Sequence, residues 1–275
     1  MLDYHIHTHF CGHAVGSMEE YVTRALEFGF GEFGFSCHFP YPEGYVFLVP
    51  DCVIPQEIFG KYLKEALRLR EKYSGRIKIR IGAEFDYLGP DTSFHPLETA
   101  RYLNLDYCIA SVHIVDGIVV DYSPEMLRSS LAGYDGGIDR LYERYYETLL
   151  LVAAPGYCTT IGHFDLVKKF NAFPDLAPRK NHSSLADKVL DLLAQGRTVI
   201  EINTSGWDKP CREQYPSLDI LEGAVARGIM ITAGSDAHSP EEVGRHFDRL
   251  RTILGQLGVR QLARFEKLKA LPVDI

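Results

Sequence analysis

The sequence predicts an α/β fold in which seven parallel strands form a barrel. Apolar, strand-like runs alternate with stretches of helical periodicity, which is the pattern of repeated strand-helix units in a parallel sheet. Each apolar run ends at or just before a histidine or an acidic residue, and the carboxyl ends of parallel strands converge on one mouth in such barrels. The 275 residues contain no Pro/Gly/Ser-rich linker and no repeat of fixed period, so we expect a single domain over residues 1–275.

The individual elements follow from short sequence signals. The predicted strands are runs rich in β-branched and aromatic residues, at 2–6, 33–37, 77–83, 107–112, 159–162, 198–203 and 229–233. A capping box from Ser17 to Glu20 opens a helix that runs to about Phe28, and a second capping signal, with proline at the first helical position, opens at Ser239. Helical periodicity also covers 56–73, 138–152, 184–194 and 218–227, and the segment 133–137 is predicted to be a loop between helices.

Composition excludes several classes of protein. Hydrophobic residues make up 46% of the chain and charged residues 24%, so a large core is expected and disorder is not. The formal net charge of −8 argues against a surface that coats nucleic acid, because a phosphate backbone selects clustered Lys and Arg. The sequence opens without a basic and apolar leader and contains no stretch of membrane-spanning length, so we expect a cytoplasmic protein without a membrane partner. The six cysteines lack CxxC spacing and are expected to be reduced thiols.

Histidines and carboxylates at the strand ends predict a metal site. Residues i and i+2 of a strand point to the same side, so His5 and His7 can present two imidazoles to one ion. Further ligand-type residues follow the other predicted strands or lie near the first one: His13, His38, Glu84, His113, His163, Asp236 and His238. Imidazole and carboxylate suit Zn, Fe or Mn. Cys11 lies near His7 and could either bind a metal or pack beside it as a small hydrophobic residue.

These residues carry a family resemblance that covers almost the whole chain. The segments in question are His5-x-His7, Cys11-Gly12-His13-Ala14, His38, Glu84, Ser111-Val112-His113, Gly162-His163 and Gly234-Ser235-Asp236-Ala237-His238. Together they resemble the polymerase and histidinol phosphatase (PHP) family. The stretches 162–170 and 201–206 are similar to its histidinol-phosphate phosphatase branch in particular.

The resemblance implies a distorted (β/α)7 barrel with three divalent metal ions, Zn, Fe or Mn, at the carboxyl ends of the strands. It implies one ion held by His5, His7, Glu84 and Asp236, a second by Glu84, His113 and His163, and a third by His13, His38 and His238. Catalytic roles are implied for Glu84, His113, Asp236 and His238 through these ions. The implied reaction is the hydrolysis of L-histidinol phosphate to L-histidinol and phosphate by a metal-activated water.

Residues that contact the substrate are less narrowly indicated. Phosphate capture usually adds a basic side chain, and the candidates at the expected mouth are Lys168, Lys169, Lys209 and Arg212. The substrate amine could pair with an acidic side chain, and Asp86, Glu43 and Asp208 are the candidates. Two further residues have open roles: Trp207 could stack on the substrate or pack in the core, and His9 could donate a proton or lie in a loop. His95, His182 and His246 lie away from strand ends and are expected to be structural or exposed.

Two other functions remain as alternatives at this stage. A PHP phosphoesterase acting on a nucleotide or a nucleoside bisphosphate would use the same metals. A metal-stabilised interaction module without catalysis is the other, although an inactive relative is expected to have lost several of these ligands.

Overall fold

The computed structural model describes residues 1–42, 54–90 and 94–275, so that Glu43 and Cys52 lie outside the described residues. The strands are β1 Leu2–Asp3, β2 Glu32–Phe35, β3 Lys78–Ile81, β4 Glu84–Asp86, β5 Ile109–Ser111, β6 Ile114–Val115, β7 Ile118–Val119, β8 Thr160–Ile161, β9 Val199–Asn203, β10 Ile231–Gly234, β11 Gln261–Glu266 and β12 Lys269–Asp274. The α-helices are α1 Met18–Glu27, α2 Gln56–Lys72, α3 Pro96–Tyr102, α4 Pro124–Leu131, α5 Gly137–Val152, α6 Ser183–Leu193, α7 Leu218–Ala226 and α8 Phe247–Gln256.

The strands form two parallel sheets and two antiparallel hairpins. One sheet has the order β1-β2-β3 and the other the order β10-β9-β8-β5-β4, while β6 pairs with β7 and β11 with β12. The predicted α/β class with parallel strands is therefore confirmed, and a strand lies at each of the seven predicted positions. The predicted strand at 77–83 ends early, and β4 begins after a break at Gly82, where a Cβ atom would come within 2.6 Å of the Tyr107 ring.

Backbone hydrogen bonds connect the first sheet to both edge strands of the second sheet, β10 and β4. The amide of His7 donates to the carbonyl of Ala237 at 2.9 Å, and the amide of Phe39 donates to the carbonyl of Glu84 at 2.7 Å. These bonds bring the residues after β1, β2 and β10 beside Glu84, the first residue of β4. Residues that follow these strands are therefore close in space although they are far apart in sequence.

The helices agree with the sequence signals except at one start. Ser17 caps α1 by accepting from the amide of Glu20, and the Glu20 carboxylate accepts from the amide of Ser17, as the capping box predicts. The helix predicted to open at Ser239 is wrong: a three-residue 3-10 turn forms at Pro240–Glu242, and α8 begins only at Phe247. The chain leaves the turn because Gly244 adopts a left-handed conformation with a φ of +68°. The segment 133–137 connects α4 to α5, as expected.

Aromatic packing closes the amino-terminal side of the strands. The rings of Tyr4, Tyr107 and Phe265 lie 5.1 to 5.3 Å apart, and all three are buried. The Tyr107 hydroxyl donates to the carbonyls of Tyr4 and Phe35, so its polar end is satisfied inside the core. Each fully buried large side chain of this kind contributes about 1.5 to 3 kcal/mol to the free energy of unfolding. The C-terminal hairpin β11–β12, which carries Phe265, therefore belongs to the core and leaves the opposite, carboxyl side open.

Two sequence expectations concern the whole chain. The cysteines within the described ranges, Cys11, Cys37, Cys108, Cys158 and Cys211, are free thiols, as expected. Among the helices that the structure describes, none combines the length and the apolar character needed to cross a membrane.

Candidate metal centre

The nine predicted metal ligands converge at the carboxyl ends of the strands. Eight of them line a cavity of about 310 Å³, and the ninth, His5, lies beneath it and is fully buried. Among the described residues, their donor atoms form overlapping groups in which all atoms lie within 4.8 Å of one another. The groups are His7, His13 and His238; His5, Glu84 and His163; His5, His7 and Asp236; His7, His38 and Glu84; and Glu84, Asp86 and His113.

The Nε2 atoms of His13 and His238 face each other, and neither carries a proton in the neutral rings. Nδ1 of His13 donates to the carbonyl of Cys11 at 2.9 Å, and Nδ1 of His238 donates to the carbonyl of Asp236 at 2.9 Å. Burial and the charge of His7 hold the pKa of His13 at about 4 and that of His238 well below its usual value, so both rings are neutral at pH 7. Their Nε2 atoms therefore carry lone pairs and lie only 2.8 Å apart, which is an arrangement that favours a bound cation.

Glu84 occupies the centre of the cluster. One carboxylate oxygen lies 3.2 Å from Nε2 of His5 and 3.3 Å from Nε2 of His7, and the other lies 3.1 Å from Nε2 of His163. Ser111 donates its hydroxyl to this second oxygen at 2.6 Å. Burial alone would raise the pKa of Glu84, but the surrounding imidazoles hold it well below its usual value. The residue is therefore an ionised carboxylate with imidazole nitrogens on both of its oxygens.

Two ring nitrogens in the cluster lack the partners that buried polar atoms normally have. Nδ1 of His38 lies 3.2 Å from Asp86 and 3.4 Å from Glu84, yet it forms no hydrogen bond among the described residues. Nδ1 of His163 is also buried without a hydrogen bond in the described part of the chain. Unpartnered buried nitrogens are rare in folded proteins, and together with the facing pair at His13 and His238 they fit a site that binds metal ions.

Two buried carboxylates, neither of them predicted to contact a metal ligand, orient these candidate ligands. Glu201 accepts from Nδ1 of His5 at 2.7 Å and from the backbone amide of His163 at 2.8 Å. Its place depends on Gly234, because a Cβ atom there would lie 2.0 Å from the Glu201 carboxylate. Contacts of this kind keep the other ring nitrogen free for a metal and increase its basicity.

Asp86 has the same relation to a different part of the cluster. It accepts short hydrogen bonds from Nδ1 of His113 and from the hydroxyl of Tyr41, and it is 1% exposed. The sequence offered Asp86 as a partner for a substrate amine, but its oxygens are already engaged by protein groups. Asp208, another such candidate, accepts from His246 at 2.8 Å and does not line the cavity.

The basic candidates for phosphate capture separate into two groups. Lys169 and Lys209 line the cavity, and Lys169 donates to the carbonyl and the carboxylate of Asp121. Lys168 turns the other way and is buried in ion pairs with Asp165 and Glu213 at 2.9 and 2.8 Å.

Arg212 is exposed and is not one of the residues that line the cavity. Of the two lysines that line the cavity, Lys209 is the one whose ammonium has no hydrogen-bond or ion-pair partner among the described residues. Burial and the neighbouring charge of Lys169 lower its pKa. An anion placed between the two lysines would therefore be stabilised by both charges.

Three residues with open roles lie outside the cavity lining. Trp207 is 3% exposed and packs under the guanidinium of Arg249, so it has the packing role. His9 is exposed in the 3-10 turn His9–Cys11, and its Nδ1 lies 3.2 Å from the carbonyl of Gly16. The thiol of Cys11 contacts Nδ1 of His7, on the ring edge opposite the Nε2 atom that faces the cluster. It therefore packs behind a predicted ligand.

The parallel sheets and the clustered imidazole and carboxylate donors define an α/β protein of the metal-binding class. The family described as PHP domain matches residues 3–205, and the family described as PHP-associated matches residues 220–250. The chain belongs to the PHP family, in agreement with the resemblance noted in the sequence.

Several relatives of this family are similar over nearly the whole chain. A probable histidinol-phosphatase of Deinococcus radiodurans is 34% identical over 247 residues, which cover 90% of each protein. A probable histidinol-phosphatase of Schizosaccharomyces pombe is 31% identical over 274 residues, which cover 95% of this chain and 89% of that protein. The solved structure of histidinol phosphate phosphatase from Lactococcus lactis, complexed with Zn, L-histidinol and phosphate, is 26% identical and has a TM-score of 0.75, with 98% of each chain covered.

Proposed function

We propose that this protein is a metal-dependent phosphomonoesterase that hydrolyses L-histidinol phosphate to L-histidinol and phosphate. The observation that carries the proposal is the carboxylate-centred histidine cluster around Glu84, in one cavity with the ammonium groups of Lys169 and Lys209. The similarity to histidinol-phosphatases over nearly the whole chain supports the choice of substrate.

The proposed ligands are the nine residues of the cluster, and the proposed ions are three divalent ions, Zn, Fe or Mn. Their allocation is His5, His7, Glu84 and Asp236 for one ion, Glu84, His113 and His163 for a second, and His13, His38 and His238 for a third. The distances to both oxygens of Glu84 support a bridging role. The donor atoms of His38 lie close to those of His7 and Glu84, whereas the donor atoms of His13 and His238 lie close to that of His7. The distances therefore favour a variant of this allocation in which His38 and His7 exchange places.

The chain's own residues would orient the reaction in three ways. When bound, divalent ions supply a water of lowered pKa and neutralise charge on the phosphoryl oxygens. Lys209 and Lys169 would hold the phosphate at the rim, and Glu201 keeps Nε2 of His5 directed at the ion site. Val119 and Leu166, which also line the cavity, would shield the substrate from water.

We further propose that the two parallel sheets form one distorted (β/α)7 barrel and that residues 1–275 are a single domain. The hydrogen bonds that join His7 to Ala237 and Phe39 to Glu84 support closure, since they link the first sheet to β10 and β4, the two edge strands of the second. A cytoplasmic location stays a prediction of the sequence.

Phosphate release from a small substrate panel tests the proposal. The panel contains histidinol phosphate, a nucleoside bisphosphate and p-nitrophenyl phosphate, each assayed with Zn, Mn and Fe and after metal removal. We expect the highest kcat/KM for histidinol phosphate and no activity without metal. Faster hydrolysis of the nucleoside bisphosphate would show that nucleotides are the substrates, and full activity of the metal-free protein would refute the metal mechanism.

A further inference from the structure

We propose that Arg245 is a positioning residue that sets the affinity of the site for two ions, the one allocated to Asp236 and the one allocated to His238. This inference rests on the proposed function, because it concerns the ligands of the proposed metal centre. Arg245 does not line the cavity, so it would act through the loop that carries the two ligands rather than by touching the substrate.

The loop that follows β10 holds Asp236 in an unfavourable backbone conformation. Asp236 has a φ of +53°, in the left-handed region that residues with a Cβ atom rarely adopt. This turn directs the Asp236 carboxylate to 3.3 Å from Nε2 of His7, and it returns the chain so that His238 faces His13. Because such a conformation persists only where the surroundings stabilise it, contacts outside the loop must hold it in place.

Arg245 supplies these contacts through its planar guanidinium group. Nε donates to the carbonyl of Ser235 at 2.8 Å, and Nη2 donates to the carbonyl of Asp236 at 2.5 Å. The side chain is 11% exposed, so these bonds are shielded from water. Two adjacent carbonyls held by one rigid fork fix the peptide planes on both sides of the left-handed residue.

Glu242 completes the arrangement from the other side. One carboxylate oxygen accepts from Nη1 of Arg245 at 2.9 Å, and the other accepts from the backbone amide of His238 at 2.7 Å. The carbonyl of Asp236 that Arg245 binds also accepts from Nδ1 of His238, and this bond leaves Nε2 free for a metal. One Arg-Glu pair therefore controls the backbone of Asp236 and both the backbone and the ring of His238.

The proposed effect is local. The remaining ligands follow other strands or the loop after β1, and Glu201 and Asp86 orient several of them independently of Arg245. Loss of a residue that orients metal ligands typically lowers metal affinity by about tenfold to a hundredfold. Removal of Arg245 should therefore weaken binding of the two ions that depend on Asp236 and on His238, and leave the ion of Glu84, His113 and His163 in place.

Metal retention by full-length variants against graded chelator, measured by elemental analysis, tests the inference. The variants are Arg245→Met and Arg245→Lys, with Arg249→Met as the matched control, because Arg249 is exposed on α8 and packs on Trp207. We expect Arg245→Met to release part of its metal at chelator concentrations about tenfold to a hundredfold below those for the wild type. Metal retention by Arg245→Lys should fall between that of the wild type and that of Arg245→Met, since an ammonium cannot hold both carbonyls in the same plane. The control should match the wild type.

Two further measurements separate positioning from a general loss of structure. The metal-free Arg245→Met protein should keep the circular dichroism spectrum of the metal-free wild type, and excess metal should restore its phosphatase activity. Equal metal retention by Arg245→Met and the wild type would overturn the inference, as would simultaneous loss of all ions. If Arg245→Met does not fold, Glu242→Gln serves instead, and unchanged retention in that variant overturns the proposal. A wild-type protein that binds no metal would instead refute the proposed function itself.

Discussion

Replacing Lys209 with methionine should lower kcat/KM for histidinol phosphate by about tenfold to a hundredfold. A hydrogen bond to a charged group stabilises the bound phosphate by about 1.5 to 3 kcal/mol, and each ~1.36 kcal/mol changes a rate tenfold. Lys209 lines the cavity, and its ammonium has no partner among the described residues, so its charge is available to the substrate. Burial and the charge of Lys169 lower its pKa, and a bound phosphate dianion would reverse this shift. Methionine keeps the length and apolar stem of the side chain but removes the charge.

Steady-state kinetics and metal analysis on Lys209→Met and Arg212→Met decide this prediction. Arg212 is an exposed cation three residues further along, outside the cavity lining, and we expect its variant to retain wild-type efficiency. The metal content of both variants should equal that of the wild type, since neither side chain belongs to the ligand cluster. Unchanged efficiency in Lys209→Met, or an equal loss in both variants, would show that the phosphate is held elsewhere, and Lys169 would be tested next.

Three further changes probe the metal centre. Glu84→Gln should lower activity by orders of magnitude with a circular dichroism spectrum like that of the wild type, because the carboxylate would bridge two ions under the proposed function, and near-normal turnover would contradict the bridge. Glu201→Gln should weaken metal binding about tenfold to a hundredfold in a chelator competition, because His5 loses its charged acceptor, and wild-type affinity would count against that role. Complete metal removal should lower the thermal midpoint and re-addition should restore it, because the ligands are assembled only in the folded state, and an unchanged midpoint would disprove this coupling.

The apolar runs located the seven strands, although not their exact ends, and the structure brings the nine predicted ligands together, as the sequence pattern predicts. The sequence pattern could not predict which of two adjacent residues points its side chain into the cavity. Lys168 and Lys169 are adjacent and chemically identical, yet one is buried with Asp165 and the other lines the site. The difference depends on how the 3-10 turn Leu166–Phe170 packs, and a strand or helix period carries no information about that.

The residues that support the ligands escaped prediction for a different reason. Glu201 and Asp86 lie within buried strand segments, where an acidic residue gives no sign of its partner until the neighbouring strands are in register. Arg245 lies between the 3-10 turn Pro240–Glu242 and α8, where no sequence period indicates that its guanidinium contacts the carbonyls of Ser235 and Asp236. The short helices α3 and α4 were not predicted, because they contain too few residues to show a helical period. Each carries proline in its first turn, which is a sequence signal for a helix start.

The facing nitrogens of His13 and His238 imply a compromise between two properties of the protein. A chain optimised to be stable without ions would turn one ring away, or would place a hydrogen-bond donor between the two Nε2 atoms. Here the backbone carbonyls of Cys11 and Asp236 hold both rings in the orientation in which their lone pairs repel each other. The metal-free fold is therefore locally frustrated at this point, and substitutions that relieve the frustration would make the apoprotein more stable and the site a weaker metal binder.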